Sequence, residues 1–467
     1  MSKRNQNYTN RKQNRFQPER MRGNIFVNNS GKQWLPGKNG RAAKVERLLR
    51  GLEKKEIAGN MAGYKDSGIE YIGQVPKDWE VLRLKNISNI YAAKEYLFGE
   101  WPVEKNGKPY SPFGEWSSGN EVIITGRVGT IGQYEMLEKN PKKKILINDN
   151  RLLIRPFTED YRKKALSHFL FWAMAIVNLN DIITGSAVPL ITATSLLKKR
   201  IVVPPLSEQQ RIADFLDTKC GILDRTIDAV SQQIEDLEKY KKALITKTVT
   251  KGIYKKGEPE RAMKDSGVEW IGEVPEEWDV KRNSLNFDIR KTLVGENWSN
   301  MQLLSLTTNG VKNITIDDQV GKRPKTLATY QIAHKNDIVM CLFDLDASAV
   351  FSGLCKKNGI ISPAYKLLKC KNGMFPPYAE YYFRAVFDGR KYKKYAKSIR
   401  YTISTNDFMH LKMPVPPLAE QQQIADYLDE KCKNINNRVQ KRKQQLEWLK
   451  EYKRSLIFDY VTGKKRV

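Results

Sequence analysis

The sequence predicts an α+β protein with an internal pseudo-twofold repeat: two similar α/β inserts separated by two long antiparallel coiled-coil helices. Three observations predict it. A lead-in, Lys65-Asp-Ser-Gly-Ile-Glu-Tyr-Ile-Gly-Gln-Val-Pro-Lys-Asp-Trp79, returns 199 residues later as Lys264-Asp-Ser-Gly-Val-Glu-Trp-Ile-Gly-Glu-Val-Pro-Glu-Glu-Trp278. A second motif, Pro204-Pro-Leu-Ser-Glu-Gln-Gln-Arg-Ile-Ala-Asp-Phe-Leu-Asp-Thr-Lys-Cys220, returns 212 residues later as Pro416-Pro-Leu-Ala-Glu-Gln-Gln-Gln-Ile-Ala-Asp-Tyr-Leu-Asp-Glu-Lys-Cys432. After each copy of the second motif, apolar residues recur at alternating steps of three and four, as in a coiled coil. The stretch between the motifs is 13 residues longer in the second half, and the two stretches differ in sequence. One frame therefore holds two unlike inserts.

The elements follow in chain order. Residues 1–60 carry 15 Lys/Arg against 4 Glu, with few aliphatics before Val45. That composition predicts a basic, disordered tail, with at most a short helix over 42–57. Residues 61–203 make the first insert domain, with strands expected over 121–125, 144–148 and 151–155 and a helix over about 163–177. Gly126-Arg-Val-Gly-Thr-Ile-Gly132 has neither dinucleotide-binding nor P-loop spacing and reads as a turn between strands. Residues 204–263 hold the first long helix and a linker. Paired prolines mark its start, Ser207 is placed to cap it, and its seam is Leu223, Ile227, Val230, Ile234, Leu237 and Leu244. Residues 264–415 repeat the first domain's order: 336–341 stands where 120–125 stood, 361–368 parallels 147–154, and 378–387 is the matching helix. Residues 416–467 carry the second long helix, with the seam Ile435, Val439, Leu446, Leu449 and Leu456 and one basic interruption at Arg442. A helix over 207–250 is about 65 Å long at 1.5 Å per residue. Matched seams in duplicated sequence favour two such helices packing on each other over two independent core helices.

At 467 residues the chain has room for two or three domains with real cores. Lys and Arg number 81 against 52 Asp and Glu, a net charge of +29. That excess implies a polyanionic partner, because neutralising phosphates releases their counterions. No apolar run reaches the roughly 18 residues of a membrane span, and the basic N-terminus lacks a secretion signal's apolar core. A cytoplasmic protein with no membrane partner is expected. Cys220, Cys341, Cys355, Cys370 and Cys432 are odd in number and lack CxxC spacing, which points to idle thiols in a reducing compartment and no metal site.

No catalytic set emerges. Phe375-Pro-Pro-Tyr378 resembles the Asp/Asn-Pro-Pro-Tyr loop of amino-methyltransferases, but Phe375 cannot accept hydrogen bonds from an amine and the segment reads as a helix opening. Asp217-Thr-Lys219 and Asp429-Glu-Lys431 look like the end of a nuclease triad without its Pro-Asp pair, so they read as solvated helix faces. His168, His334 and His410 are scattered, with no HxxxH spacing and no acidic neighbour in sequence. Nucleic-acid signals are stronger. Arg390-Lys-Tyr-Lys-Lys-Tyr-Ala-Lys-Ser-Ile-Arg400 packs six cations and two aromatics into 11 residues. Basic groups hold phosphates while Arg, Thr and Ser reach base edges. Candidate contacts in the second half are Lys325, Lys393, Lys394, Lys397, Arg400, Tyr401, Thr402 and Ser404. In the first they are Arg127, Thr130, Lys142, Lys143, Asn148, Asn150, Arg151, Ser186 and Thr192. Counted back from the paired prolines, 400–404 falls on 188–192, so one framework place carries different chemistry in each half. The blander reading is a helix with a solvated charged face.

The doubled Pro-Pro-Leu-x-Glu-Gln-Gln-x-Ile-Ala-Asp-x-Leu-Asp frame, each time followed by a heptad helix, resembles the specificity subunit of Type I restriction–modification systems. The Ser-Gly-x-Glu-x-Ile-Gly-x-Val-Pro-x-x-Trp lead-in, from Ser67 and from Ser266, is typical of the same family. The likeness spans roughly residues 62–463 and leaves the N-terminal stretch outside it. It implies that each insert is a target recognition domain reading one half of a split double-stranded DNA site. It also implies that the helices set the gap and dock two modification (methyltransferase) subunits. Those partners would hold S-adenosylmethionine and methylate a flipped adenine at N6; restriction subunits would add ATP- and Mg-dependent translocation and cleavage. This chain itself would bind no cofactor and catalyse nothing. The competing readings are a self-contained nuclease or methyltransferase, and a coiled-coil adaptor that binds nucleic acid without sequence preference.

Overall fold

The computed structural model describes residues 22–24, 63–92, 122–125, 131–136, 151–157, 165–185, 189–254, 257, 259–308, 310–315, 326–345, 351–396 and 401–467. The chain divides into two compact units, Met1–Asp228 with Leu446–Val467, and Ala229–Gln445.

In the first unit, β1 (Arg22–Asn24) lies within the expected tail and pairs antiparallel with a later strand; the remainder of residues 1–60, including the expected helix, lies outside the described residues. The lead-in motif folds as a hairpin, β2 (Tyr64–Asp66) and β3 (Gln74–Pro76). Its Asp-Ser-Gly explains itself at the turn. The Asp66 carboxylate accepts from the Gly68 N–H at 2.9 Å, the Ser67 hydroxyl accepts from the Ile69 N–H at 3.1 Å, and Gly68 takes a positive φ. Strand β4 (Glu80–Arg83) enters the insert, followed by β5 (Ser88–Ala92), β6 (Val122–Thr125), β7 (Gln133–Met136) and β8 (Arg151–Pro156). These form one sheet in the order β1-β7-β6-β8-β5. Helix α1 (Ser167–Met174) packs six buried residues onto it, and the capped turn of helix α2 (Ala193–Leu197) leads to β9 (Arg200–Val203). Strand β9 pairs with β4, so the insert begins and ends at one two-stranded ribbon. Helix α3 (Leu206–Lys251) follows. Because it already starts at Leu206, Ser207 sits inside the first turn and is not the cap expected; the Pro205 carbonyl takes the first helical N–H groups.

The second unit repeats this order. A hairpin, β10 (Met263–Asp265) and β11 (Glu273–Pro275), has the same Asx and Ser turn at Asp265, Ser266 and Gly267. Strand β12 (Asp279–Arg282), the short helix α4 (Asn283–Asn286) and β13 (Phe287–Arg290) come next. Then follow β14 (Leu303–Thr307), β15 (Gly310–Ile314), β16 (Gln331–Ala333), β17 (Ile338–Met340), β18 (Ser352–Leu354), β19 (Gly359–Ile361) and β20 (Lys366–Cys370). The unit closes with helices α5 (Pro376–Asp388) and α6 (Thr405–His410), strand β21 (Lys412–Val415), which pairs with β12, and helix α7 (Leu418–Val461). Sheet β18-β17-β20-β13 reproduces β7-β6-β8-β5 strand for strand. A second sheet, β15-β14-β19-β16, has no counterpart among the described residues of the first unit; it contains a parallel pair, β14 with β19. The inserts therefore share a frame.

Candidate nucleic-acid interface

The repeated motifs turn out to be a fastening. In the first unit the buried Trp79 indole N–H donates to the buried Glu208 carboxylate at 2.9 Å. The Gln209 amide oxygen accepts from the Leu166 N–H at the start of α1, and its NH2 donates to the Pro204 carbonyl. In the second unit Trp278 donates to Glu420 at 2.8 Å, while Gln421 takes the Phe375 N–H at the start of α5 and donates to the Pro416 carbonyl. A cation completes each carboxylate: Arg261 pairs with Glu420 and Glu277, and Arg466 pairs with Asp78 and lies 3.8 Å from Glu208. Each long helix therefore ends beside one of these locks. The turns there need glycine: at Gly252 a Cβ would lie 2.7 Å from the Arg261 guanidinium, and at Gly463 2.6 Å from the Pro76 ring, both at positive φ.

Asp217 and Asp429, expected on solvated faces, are used instead. Asp217 accepts from the Trp172 indole at 2.7 Å and meets His168 Nδ1 at 3.0 Å; Asp429 accepts from the Tyr381 hydroxyl at 2.6 Å. His168 thus has an acidic neighbour brought to it by the fold, and its hydrogen bond to Asp217 raises its pKa above the ordinary value. The Tyr378 hydroxyl, one turn before, donates to the Val249 and Pro414 carbonyls, tying α5 to α3 and β21. Glu208, Glu420, Asp217 and Asp429 were visible in the sequence only as repetition; their partners are 129 or more residues away for the indole pairs.

Along the long helices, Val230, Ile435, Val439 and Leu449 are buried, and Leu223, Ile227, Ile234, Leu237, Leu244, Leu446 and Leu456 are half-buried. In the first unit Lys453 donates to both oxygens of Asp224 at 2.6 and 2.7 Å, and the Phe215 and Tyr460 rings meet at 4.4 Å. In the second, the buried Lys241 donates to the Asn436 side chain at 3.0 Å. As numbers rise along α3 they fall along α7, so the helices are antiparallel. Adding 212 turns Asp224 into Asn436 and Lys241 into Lys453, the signature of a pseudo-twofold pair.

The candidate contacts divide. Arg127, Thr130, Lys142, Lys143, Asn148, Asn150, Ser186, Lys325, Lys397 and Arg400 lie outside the described residues. Arg151 opens β8. Thr192 and Ser404 fall at equivalent N-caps, of α2 and α6: Thr192 accepts from the Ser195 N–H at 3.1 Å and Ser404 from the Asp407 N–H at 3.0 Å. Their hydroxyls are thereby engaged in shaping the same loop in both units. The basic segment forms a 3-10 turn (Lys391–Lys394), where the blander reading expected a charged helix face. Lys394 pairs with Glu269 of the lead-in motif at 2.5 Å, and that hydrogen bond holds the Glu269 carboxyl below its ordinary range. The Lys393 ammonium sits 4.6 Å from the centre of the Tyr401 ring. Lys393, Tyr401, Thr402 and Ser404 are thus brought onto neighbouring loops of one unit, with Thr402 and Ser404 exposed.

The family described as type I restriction modification DNA specificity domain matches residues 76–239 and again 308–447, one match per half. The chain belongs to this family. The type I restriction enzyme MjaVIII specificity subunit of Methanocaldococcus jannaschii is 23% identical over 435 residues, covering 84% of this chain and 94% of that protein. The putative type I restriction enzyme MjaX specificity subunit of the same organism is 24% identical over 439 residues, covering 85% and 96%. A solved chain from work on complex assembly and conformational transition of the type I R-M system superposes with a TM-score of 0.59 at 15% identity, covering 84% of this chain and 99% of that one, and so shares the fold. As a specificity subunit the chain is a DNA-sequence-specificity component without a catalytic role of its own. Among the described residues no helix is long and apolar enough to cross a membrane.

Proposed function

We propose that this chain reads a split double-stranded DNA site, one half with each recognition domain, and seats two modification subunits along its paired long helices. The observation that carries the reading is one frame built twice, with the same Trp–Glu–Gln fastening, holding two unlike inserts. A single non-selective binder has no use for that arrangement. The helices of 46 and 44 residues are about 65–70 Å long at 1.5 Å per residue, enough for roughly 19 base pairs. They are suited to set the gap between half-sites. The modification subunits hold S-adenosylmethionine and transfer its methyl group to adenine N6; restriction subunits, where they join, use ATP and Mg. The assembly works in the cytoplasm, where its DNA lies.

Co-expression with the modification subunit encoded beside it, in a host lacking other methylases, tests this by mapping N6-methyladenine across the genome. A motif of two short blocks with a fixed gap is expected. Stable assembly with DNA binding that ignores sequence and vanishes with added salt would instead establish the adaptor reading.

A further inference from the structure

We propose that the basic turn at residues 390–394 of the second recognition domain is a phosphate clamp that the first domain lacks, and that Glu269 of the lead-in motif occupies Lys394 until a DNA phosphate displaces it. This deepens the DNA-reading assignment and rests on it: one domain grips the duplex backbone at a place in the frame where the other does not.

The asymmetry sits at one place. In both units a 3-10 turn lies between the insert's helix and its capped turn: Asn180–Ile182 in the first, Lys391–Lys394 in the second. The chain joining those helices in the first unit, residues 175–191, carries no Lys or Arg and a single acid, Asp181. Its counterpart, residues 389–403, carries six Lys and Arg and no acid. Asp181 is paired within its own unit, with Lys199. The turn of the second unit is pinned at its centre. The Tyr392 ring is buried and stacks with Phe387 at 5.6 Å and with Phe351 at 6.2 Å, and its hydroxyl donates to the Leu345 carbonyl at 3.0 Å. Lys391 and Lys393 on either side are half-exposed, and Lys394 is exposed. The cations are therefore carried on a turn whose backbone is fixed by a buried aromatic cluster.

Arg390, Lys391, Lys393 and Lys394 put four like charges into five residues, and their mutual repulsion falls when an anion is supplied. A carboxylate from another element meets one of them. Glu269, in the turn of the β10–β11 hairpin, takes the Lys394 ammonium at 2.5 Å. That hydrogen bond and the charge of Lys394 hold its carboxyl below the ordinary range, and the charge of Lys391 adds to the effect. Lys393 lies against the Tyr401 ring, next to the exposed Thr402. A run of cations with no acid of its own suits the evenly spaced phosphates of a duplex. The Lys394 and Glu269 side chains are 52% and 83% exposed, and an ion pair so open to water is weak enough for a phosphate to break. The first lead-in has Glu70 at the position matching Glu269, but residues 175–191 offer it no cation.

The test is equilibrium DNA binding by the full chain as salt is raised, on a duplex carrying the mapped split site and on one of scrambled sequence. Lys391→Gln combined with Lys394→Gln is expected to bind both duplexes about 10-fold more weakly and to flatten the salt slope by about 1–2, with the base preferences of both half-sites unchanged. Glu269→Gln is expected to bind both duplexes about 2–5-fold more tightly, a gain that a damaged fold cannot produce. An unchanged salt slope in the lysine variant overturns the clamp. So does a loss confined to particular bases of the second half-site, which makes the lysines base readers. Weaker or unaltered binding by Glu269→Gln overturns the masking role. A parent chain that binds both duplexes equally removes the DNA-reading assignment, while the salt slopes still decide the clamp.

Discussion

Trp79 and Glu208 show how a single hydrogen bond fastens a recognition domain to its helix. Both side chains are buried, so deleting the donor leaves a carboxylate with little water to turn to. Trp79→Phe keeps most of the ring and is expected to destabilise the first unit by about 1–3 kcal/mol, read as a lower unfolding midpoint in urea with the second unit's transition unmoved. His168 offers a pH handle at the same scale. Its pKa is raised by the hydrogen bond to Asp217, so its stabilising contribution is fully present below about pH 6.5 and is lost as pH rises through the folded-state value. The side chain is 39% exposed, which screens the pair and keeps the contribution small. The gap in melting temperature between the parent and His168→Gln should therefore be widest at acid pH and narrow above neutrality; a gap that widens with pH would contradict the pairing.

At the scale of elements, the antiparallel helices impose a rule on any change in length. Lys453 meets Asp224 and Lys241 meets Asn436, so lengthening α3 alone would slide one of these contacts out of register. A heptad added to both helices, after Asp228 and after Gln445 where the two units divide, keeps the seam in phase. Seven residues add about 10 Å, so the preferred gap in the DNA site should lengthen by about three base pairs at 3.4 Å each while both half-sites stay the same. An unchanged gap, found by the same methylation mapping, would refute the spacer role.

For the whole molecule, each insert enters and leaves through one ribbon, β4 with β9 and β12 with β21. Residues 80–203 can therefore be exchanged for another family member's insert without disturbing the Trp79–Glu208 fastening, which lies outside it, while Gln209 will hold the new insert through the backbone N–H at the start of its helix, as it holds that of Leu166. The exchanged protein should acquire a new first half-site and retain its second. A change in both halves, measured on the same DNA library, would show that the domains do not read independently.

The sequence by itself determined the doubled frame, the heptad helices, the strands over 121–125 and 151–155 with the helix after them, and the family, while the strand expected over 144–148 lies outside the described residues. Repetition and apolar periodicity are local or self-referential, so they can be read without knowing what any side chain touches. Tertiary structure decided the roles within that frame. Asp217 and Asp429 looked solvated because their partners, Trp172 and Tyr381, come from helices 45 and 48 residues away. Ser207 looked like a cap until the helix was seen to begin one residue earlier. The left-handed backbone at Tyr401 left no mark in residue type. Burial and long-range pairing are properties of chain segments brought together, and these assign which members of a basic, repetitive sequence hold the fold.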